Sequence, residues 1–514
     1  MTRMWTRARV AAVATLFASF GVGSTACTSI LGTFEVGDDA LGDAAVSGLD
    51  ASDGLDGDRS EAAADAGSDV VSIPDGPVDP PLPCDASETP ADGIFVSATD
   101  GNDASGNGTK LLPYKTVASA MTAALATGKK VINLAEGTYP EALSFDATHQ
   151  GLTVVGGWLR AGDAWTRDCS LGFRSKTIVA SPTNVAVRVN NVTQPTALES
   201  LTVATKATCA SAAGAPGETC IGVLVTGTGS IFRMKTVKVL AGRAGDGGSV
   251  SAPAAQGNVP CDGYTGCTAS PQTGKVGDGG AGAAPGAFTT AGWTPGEGHG
   301  GAPGTNGQNG APGGPGQVKM CASAGQGQCQ SGGDQCVHGA SNQGTAPAGK
   351  CGCGGLGGLG GVAGHGGGSS VALFVSGAGA KVAIEATSLV AGDGGQGSAG
   401  SAGGAPGPGA PGTNGANVSC PADNGPSTSP GPTCGCVGIG TNTANGGPAG
   451  GAGAPGGGGG GGTGGAGGAS YAQVTASGAQ VLTTGPLIQL AYGAPGAGPP
   501  GSPAGSAGAT FNVP

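Results

Sequence analysis

The sequence predicts an all-β protein: a short column of stacked strands from which two long glycine-rich tracts emerge. Three observations predict it. Two stretches 150 positions apart are near-copies, Gly222-Val-Leu-Val-Thr-Gly-Thr-Gly through Gly242 and Ala372-Leu-Phe-Val-Ser-Gly-Ala-Gly through Gly392. A recurring strand-rich unit cannot bury its own apolar face and must stack on its neighbours. Within each unit apolar residues alternate with polar ones, the two-residue period of strands with one face inward. The third observation is composition. The 514 residues include 110 glycines, with 4% aromatic and 11% charged residues. Ordinary globular domains carry about 7% glycine and about 25% charge, so much of this chain cannot build a conventional core.

Residues 1–26 read as a targeting segment. Arg3, Arg7 and Arg9 precede an apolar run from Val10 to Val22, too short to span a bilayer. The run ends in Ser24-Thr25-Ala26-Cys27, which resembles the lipobox of bacterial lipoproteins. That resemblance implies lipidation of Cys27 and, with Thr28 after it, an outer-membrane or cell-surface address. Ser24 stands where the motif usually has leucine, and a secretory signal cleaved after Ala26 is the alternative. Residues 27–84 form an acidic tether: Glu35 to Asp79 holds 13 acidic residues against Arg59. A segment so charged and so poor in aliphatic residues stays extended. From Asp85 onward 20 acidic residues face 18 basic ones. The net charge of -11 therefore belongs to the tether, and no basic patch points to nucleic acid.

Residues 85–242 carry a cap and the first coils. Val117, Ala120, Met121 and Ala124 share one helical face. Val131 to Leu134 is a buried strand, and Ala135-Glu136-Gly137-Thr138 is a turn. The stretch from Ile94 to Trp158, with Gly101-Asn102-Asp103, Pro113-Tyr114-Lys115-Thr116 and Gly137-Thr138-Tyr139, resembles the N-terminal segment of pectate-lyase-like proteins. The resemblance implies a short right-handed parallel β-helix, with a helical cap over its open end, where strand edges would otherwise be unpaired.

The coils follow one template with glycine at each corner. Val185, Val187 and Val189 are followed by Leu201 and Val203. Val223, Val225, Phe232, Met234, Val237 and Val239 correspond to Leu373, Val375, Val382, Ile384 and Leu389 in residues 370–392. A last coil, 470–492, offers Val474, Val481, Leu482, Leu487 and Leu490, and 493–514 is a Gly/Pro-rich tail. Five or six coils about 4.8 Å apart make a column of about 25–30 Å.

Residues 243–369 and 393–469 are the insertions. Both contain Gly-Ala-Pro-Gly-Thr-Asn-Gly (301–307 and 409–415) and Cys-Gly-Cys. Both leave and re-enter at one corner. Between Gly301 and Gly316 glycine recurs at every third position. That period suits an extended helix of three residues per turn, packed closely on its neighbours, with disorder as the competing reading. Glycine-rich loops alternating with coils resemble the PGRS family.

Cys27 apart, fourteen cysteines remain: Cys84, Cys169, Cys209, Cys220, Cys261, Cys267, Cys321, Cys329, Cys336, Cys351, Cys353, Cys420, Cys434 and Cys436. An even number in an exported chain predicts disulfides that staple the insertions. Cys209 pairs with Cys220, and Cys84 pins the leading segment to Cys169. The insertions hold seven and three cysteines, so complete pairing demands a bridge between them.

Catalytic signals are weak. Arg188, Arg233, Lys235, Lys238, Lys381 and Glu385 point outward, and the register pairs Lys235 with Glu385. Asp246, Asp278 and Asp393 each precede Gly-Gly, a faint calcium signal. Otherwise no metal or cofactor is expected. His149, His299, His338 and His365 are scattered, His299 and His365 reading as exposed, with no catalytic triad. The expected role is structural or adhesive, without catalysis. Expected partners are a membrane through the N-terminal lipid, and surface glycans or other surface proteins. Polysaccharide binding or cleavage, a lyase-like or hydrolase-like activity, is the alternative by fold analogy.

Overall fold

The computed structural model describes residues 87–168, 176–321, 342–419, 443–476, 478–484 and 489–513. The leader, the tether, Cys27, Cys84, Cys169, Cys329, Cys336, Cys420, Cys434, Cys436, His338 and Leu487 lie outside them. Among the described residues no helix is long and apolar enough to cross a membrane.

The described residues are nearly all-β, with one α-helix and three sheets whose main strands pair in parallel. Each coil visits the three sheets in turn. The leading sheet stacks Leu143–Phe145, Val185–Asn190, Cys220–Thr226, Ser370–Val375, Ser470–Thr475 and Ala507–Asn512. The middle sheet runs through Ile94–Val96, Val131–Ala135, Thr153–Ala161, Thr196–Glu199, Ile231–Lys235, Lys381–Glu385 and Gln480–Thr483, with the antiparallel strand Ala164–Arg167 alongside. The trailing sheet stacks Gly137–Tyr139, Thr177–Ala180, Thr202–Ala204, Lys238–Leu240, Ser388–Val390 and Gln489–Ala491.

Alternation sets the interior. Val187, Val223 and Leu373 are register partners in the leading sheet. Leu198, Met234 and Ile384 are partners in the middle sheet. Val203, Val239 and Leu389 are partners in the trailing sheet. All nine are buried in one core, and like side chains stack coil on coil.

The helix Val117–Thr127 closes the first end, burying Val117, Ala120, Met121 and Ala124. Its N-terminal N–H groups are satisfied by Thr116 Oγ1, which accepts from Ser119, and by the Glu141 carboxylate, which accepts from Val117 at 2.7 Å and Ala118 at 2.9 Å. Gly128 ends it in the left-handed conformation. Burial pushes the Tyr139 hydroxyl well above its usual pKa, and it donates to Ala135 O at 2.8 Å inside the same end.

Several expectations are corrected. The turn placed at Ala135–Thr138 is a one-residue corner at Glu136, because Gly137–Tyr139 is already a strand of the trailing sheet. Glycine does not occupy every corner. Between the middle and trailing sheets Ser200, Thr236 and Ala386 take φ of 56°, 56° and 46°. They hold because each corner bonds to the next: Ser200 N–H donates to Lys235 O and Thr236 N–H to Glu385 O. In the last coil Leu482 pairs with Ala383 and is 47% exposed, while Val481 pairs with Val382 and packs on the core. Val474 faces outward too, in register with Phe374. Finally, the tail returns and adds Ala507–Asn512 to the leading sheet.

A β-branched residue in the left-handed region is strained by about 1–2 kcal/mol, whereas asparagine visits that region routinely. Thr236→Asn is therefore expected to raise the thermal unfolding midpoint, corresponding to about 1 kcal/mol. An unchanged or lower midpoint in a differential scanning experiment would show that the corner is not strained.

Candidate functional site

The outward charged residues do not converge. Arg188 lies on the leading sheet beside Leu224, Lys238 on the trailing sheet between Thr202 and Ser388, and Arg233, Lys235, Lys381 and Glu385 on the middle sheet. Lys235 is in register with Glu385 and, on its other side, with Glu199. The ion pair expected between Lys235 and Glu385 is made instead by Arg233, whose Nη2 lies 2.6 Å from Glu385 Oε2. Arg233 shares the outward phase two residues earlier and reaches diagonally to the next coil. This partly exposed pair stabilises little.

Two aspartates of the calcium signal have their carboxylates engaged elsewhere. Asp246 Oδ1 accepts from the Gln396 N–H at 2.7 Å and pairs with Arg243. Asp393 Oδ1 accepts from Ala494 N–H at 2.7 Å. Asp278 lends its main-chain oxygen to Ala302 N–H. Among the described residues no three His, Cys, Asp or Glu side chains gather where they could hold a metal ion. His149 Nδ1 lies 2.8 Å from Asp146, whose carboxyl is lowered to about 2, chiefly by its hydrogen bonds to Thr148. His299 is exposed, with Nδ1 3.2 Å from Ala281 O. His365, expected to be exposed, is half-buried with Nδ1 2.8 Å from Glu297, because the insertion that carries it is folded.

That folding dominates the surface. The glycine-rich tracts form a bundle of extended segments joined by a backbone hydrogen bond at every third residue. Gly301, Gly304, Gly307 and Gly310 donate to Gly361, Gly358, Gly355 and Gly352 at 2.8–2.9 Å. The segment around 451–468 is central. Its Gly456, Gly459 and Gly462 donate to Gly407, Gly404 and Ser401; its Ala454, Gly457 and Gly460 donate to Gln308, Thr305 and Ala302. Its carbonyls accept from Gly355, Gly358 and Gly361 on one side and from Gly274, Gly277 and Gly280 on another. Four segments therefore pack against it, which explains glycine at 456, 457, 459, 460 and 462. A Cβ on Gly456, Gly459 or Gly462 would collide with a main-chain oxygen of 356–362, and one on Gly457 or Gly460 with Lys275 or Asp278 oxygen. Asparagines complete the pattern: Asn306 and Asn309 Oδ1 accept from Gly357 and Gly354, and Asn414 from Ala449.

Aromatic residues fasten the bundle to the column. The hairpin Ala287–Thr289/Gly292–Thr294 lays Phe288 on the outer face of the leading sheet, against Phe374, Tyr471, Trp293 and Phe511 at centroid distances of 4.9–6.1 Å. Ile221, Leu224, Val371 and Val474 join this second core. Trp293 Nε1 donates to Gly367 O at 3.0 Å. Apart from Val474, sequence reasoning did not single these residues out. Their signal was the aromatics at outward positions Phe374 and Tyr471, together with Phe288 and Trp293 inside a tract otherwise almost free of large side chains.

Disulfides bind the insertion to itself. Cys261 joins Cys353 and Cys267 joins Cys351, while Cys209–Cys220 closes the loop at the same corner one coil earlier. Lys350 Nζ lies 4.8 Å from the Tyr264 ring centroid beside the first two bridges.

A family model described as a protein of unknown function (DUF1565) matches residues 99–149, the helix and first coil, and that family is associated with parallel β-helix-like proteins. No curated protein and no solved structure matches the chain.

Two outcomes are expected. Gly459→Ala forces two backbones apart and costs about 1–3 kcal/mol, whereas Gly458→Ala, whose Cβ meets nothing within 4 Å, leaves the melting midpoint unchanged. Equal effects would refute the close-packed bundle. Phe288→Ala removes the centre of the second core and costs about 3–5 kcal/mol. Amide exchange in the leading-sheet strands and the bundle would report that loss, and unaltered protection would show the aromatic contact is dispensable.

Proposed function

We propose that this chain is an exported, lipid-anchored surface protein with a structural or adhesive role and no catalytic one. In this reading the leader delivers Cys27 for lipidation, and two or more acyl chains give stable anchoring. The acidic tether holds the folded part away from the outer membrane. The column is a short right-handed parallel β-helix of the pectate-lyase-like kind, and the bundle is a PGRS-like display element.

The observation that supports this reading most is the investment in the bundle. Its glycine tracts are hydrogen-bonded segment to segment, held by disulfides, and anchored to the column by a buried aromatic cluster. Such a body presents a fixed, mostly uncharged surface to surface glycans or proteins. The outward charged residues of the column are spread over three faces, with Arg233 and Glu385 paired, an arrangement suited to solubility. Disulfides agree with an oxidising location.

Expression of the full chain in a Gram-negative host tests the reading. The protein should fractionate with the outer membrane, incorporate labelled palmitate, and be cleaved by protease added to intact cells. Cys27→Ala should abolish the label and move the protein to the soluble fraction. A soluble wild-type chain would overturn the anchored reading. Turnover of a polysaccharide, lost on changing Arg233 or Lys235, would overturn the non-catalytic one.

A further inference from the structure

The central segment of the bundle has a third face. Along it the N–H groups fall at positions 467, 464, 461, 458 and 455. Gly467 donates to Pro503 O of the C-terminal tail at 3.0 Å. Gly464 lies under the Pro499 ring, and its oxygen accepts from Ser502 Oγ at 2.8 Å. Gly461 and Gly458 donate to no acceptor among the described residues, and position 455 is proline. The neighbouring segment runs in the opposite direction and repeats the pattern. Gly394 and Gly397 donate to tail oxygens Ala494 and Ala497, Gly400 and Gly403 donate to none among the described residues, and position 406 is proline.

The tail thus runs out from Ala494, turns at Pro499-Pro500-Gly501, and returns through Pro503 and Gly505 to its strand. It fills the trough between the two segments for its first turns. The next two turns are filled by no described residue. They carry four N–H groups, at 458, 461, 400 and 403, that find no acceptor among the described residues, and they end where prolines remove the donor. The floor is open, since a Cβ on Gly458 meets nothing within 4 Å and one on Gly461 meets only Ser401 O at 3.9 Å. On the far side Gly279 approaches Gly461 O, and Val276, one three-residue turn away, is 71% exposed.

We propose that these two turns bind an extended segment of a partner protein built of glycine-containing triplets, continuing the trough that the tail already occupies. The tail shows the chemistry of a fitting occupant. Ala494-Pro495-Gly496-Ala497 presents carbonyls at every third residue to the N–H lane, and Gly496 lies where a side chain would strike Gly395 O. Proline pre-sets the extended conformation, lowering the ordering cost of binding. Six residues at about 3.1 Å each span the two turns, about 19 Å. The inference deepens the display reading by naming a partner class, and it can fail while surface anchoring stands.

The probe is a fluorescent nine-residue peptide, (Ala-Pro-Gly)3, titrated into the full chain and read by anisotropy, with (Ala-Pro-Ala)3 as control. Saturable binding of the glycine peptide is expected, with the control at least tenfold weaker. The double variant Gly458→Pro/Gly461→Pro removes two donors in a conformation proline adopts. It should weaken binding at least tenfold with an unchanged melting midpoint. Gly458→Leu, whose side chain enters the open space, should block binding equally and covers the case in which the proline variant misfolds. No saturation with folded protein, equal binding of the control, or binding indifferent to both variants would overturn the proposal. A concentration-dependent dimer of the wild type, absent in the variants by sedimentation, would do so as well, by making a second copy of this chain the occupant.

Discussion

Backbone-to-backbone hydrogen bonding between adjacent passes of the chain is the constraint on which the molecule rests. In the column each pass is a strand, and its N–H groups find acceptors in the coil above or below. In the bundle each pass is an extended segment, and one N–H in three points to each neighbour. Buried main-chain donors must be satisfied, so both halves meet the same requirement with different side chains. The column adds an apolar interior of Val, Leu, Ile and Met. The bundle has almost no side chains to bury, and close approach itself requires glycine.

This difference explains where the molecule needs fastening. The column gains from burying aliphatic side chains and from its helical cap. The bundle gains little from that source and pays a high ordering entropy for its glycines. Its fastenings are correspondingly dense: two disulfides, Asp246 and Asp393 bonded to the next layer, asparagine side chains completing the N–H pattern, and the Phe288–Trp293 hairpin seated on the column. The hairpin also hides apolar outward positions of the leading sheet that would otherwise form an exposed patch. On the middle sheet Lys235 lies between Glu199 and Glu385, and Arg233 is bonded to the latter.

Much of this was legible in the sequence. The near-copies fixed Val223 and Leu373 as neighbours, which they are. The helical face of Val117, Ala120, Met121 and Ala124 and the Cys209–Cys220 bridge also follow from local pattern. The candidate surface was less legible. Outward residues gave the register of Lys235 with Glu385 but not the diagonal reach of Arg233. His365 read as exposed because a glycine tract offers no local sign of what packs beside it. Corners at Ser200, Thr236 and Ala386 escaped notice because their left-handed geometry is imposed by stacking, against residue preference.

By itself the sequence determined that strands recur and that they stack, and its glycine at every third position allowed close neighbours, with disorder as the competing reading. These follow from period and composition, which are properties of a single pass of the chain. Only the tertiary structure decided which passes of the glycine tracts become neighbours. It packed four segments against 451–468, seated Phe288 on the leading sheet, and ran the tail into a trough it fills only in part. A backbone hydrogen bond carries no record of its partner in the residue type, so a glycine tract states that it can be approached closely without stating by what.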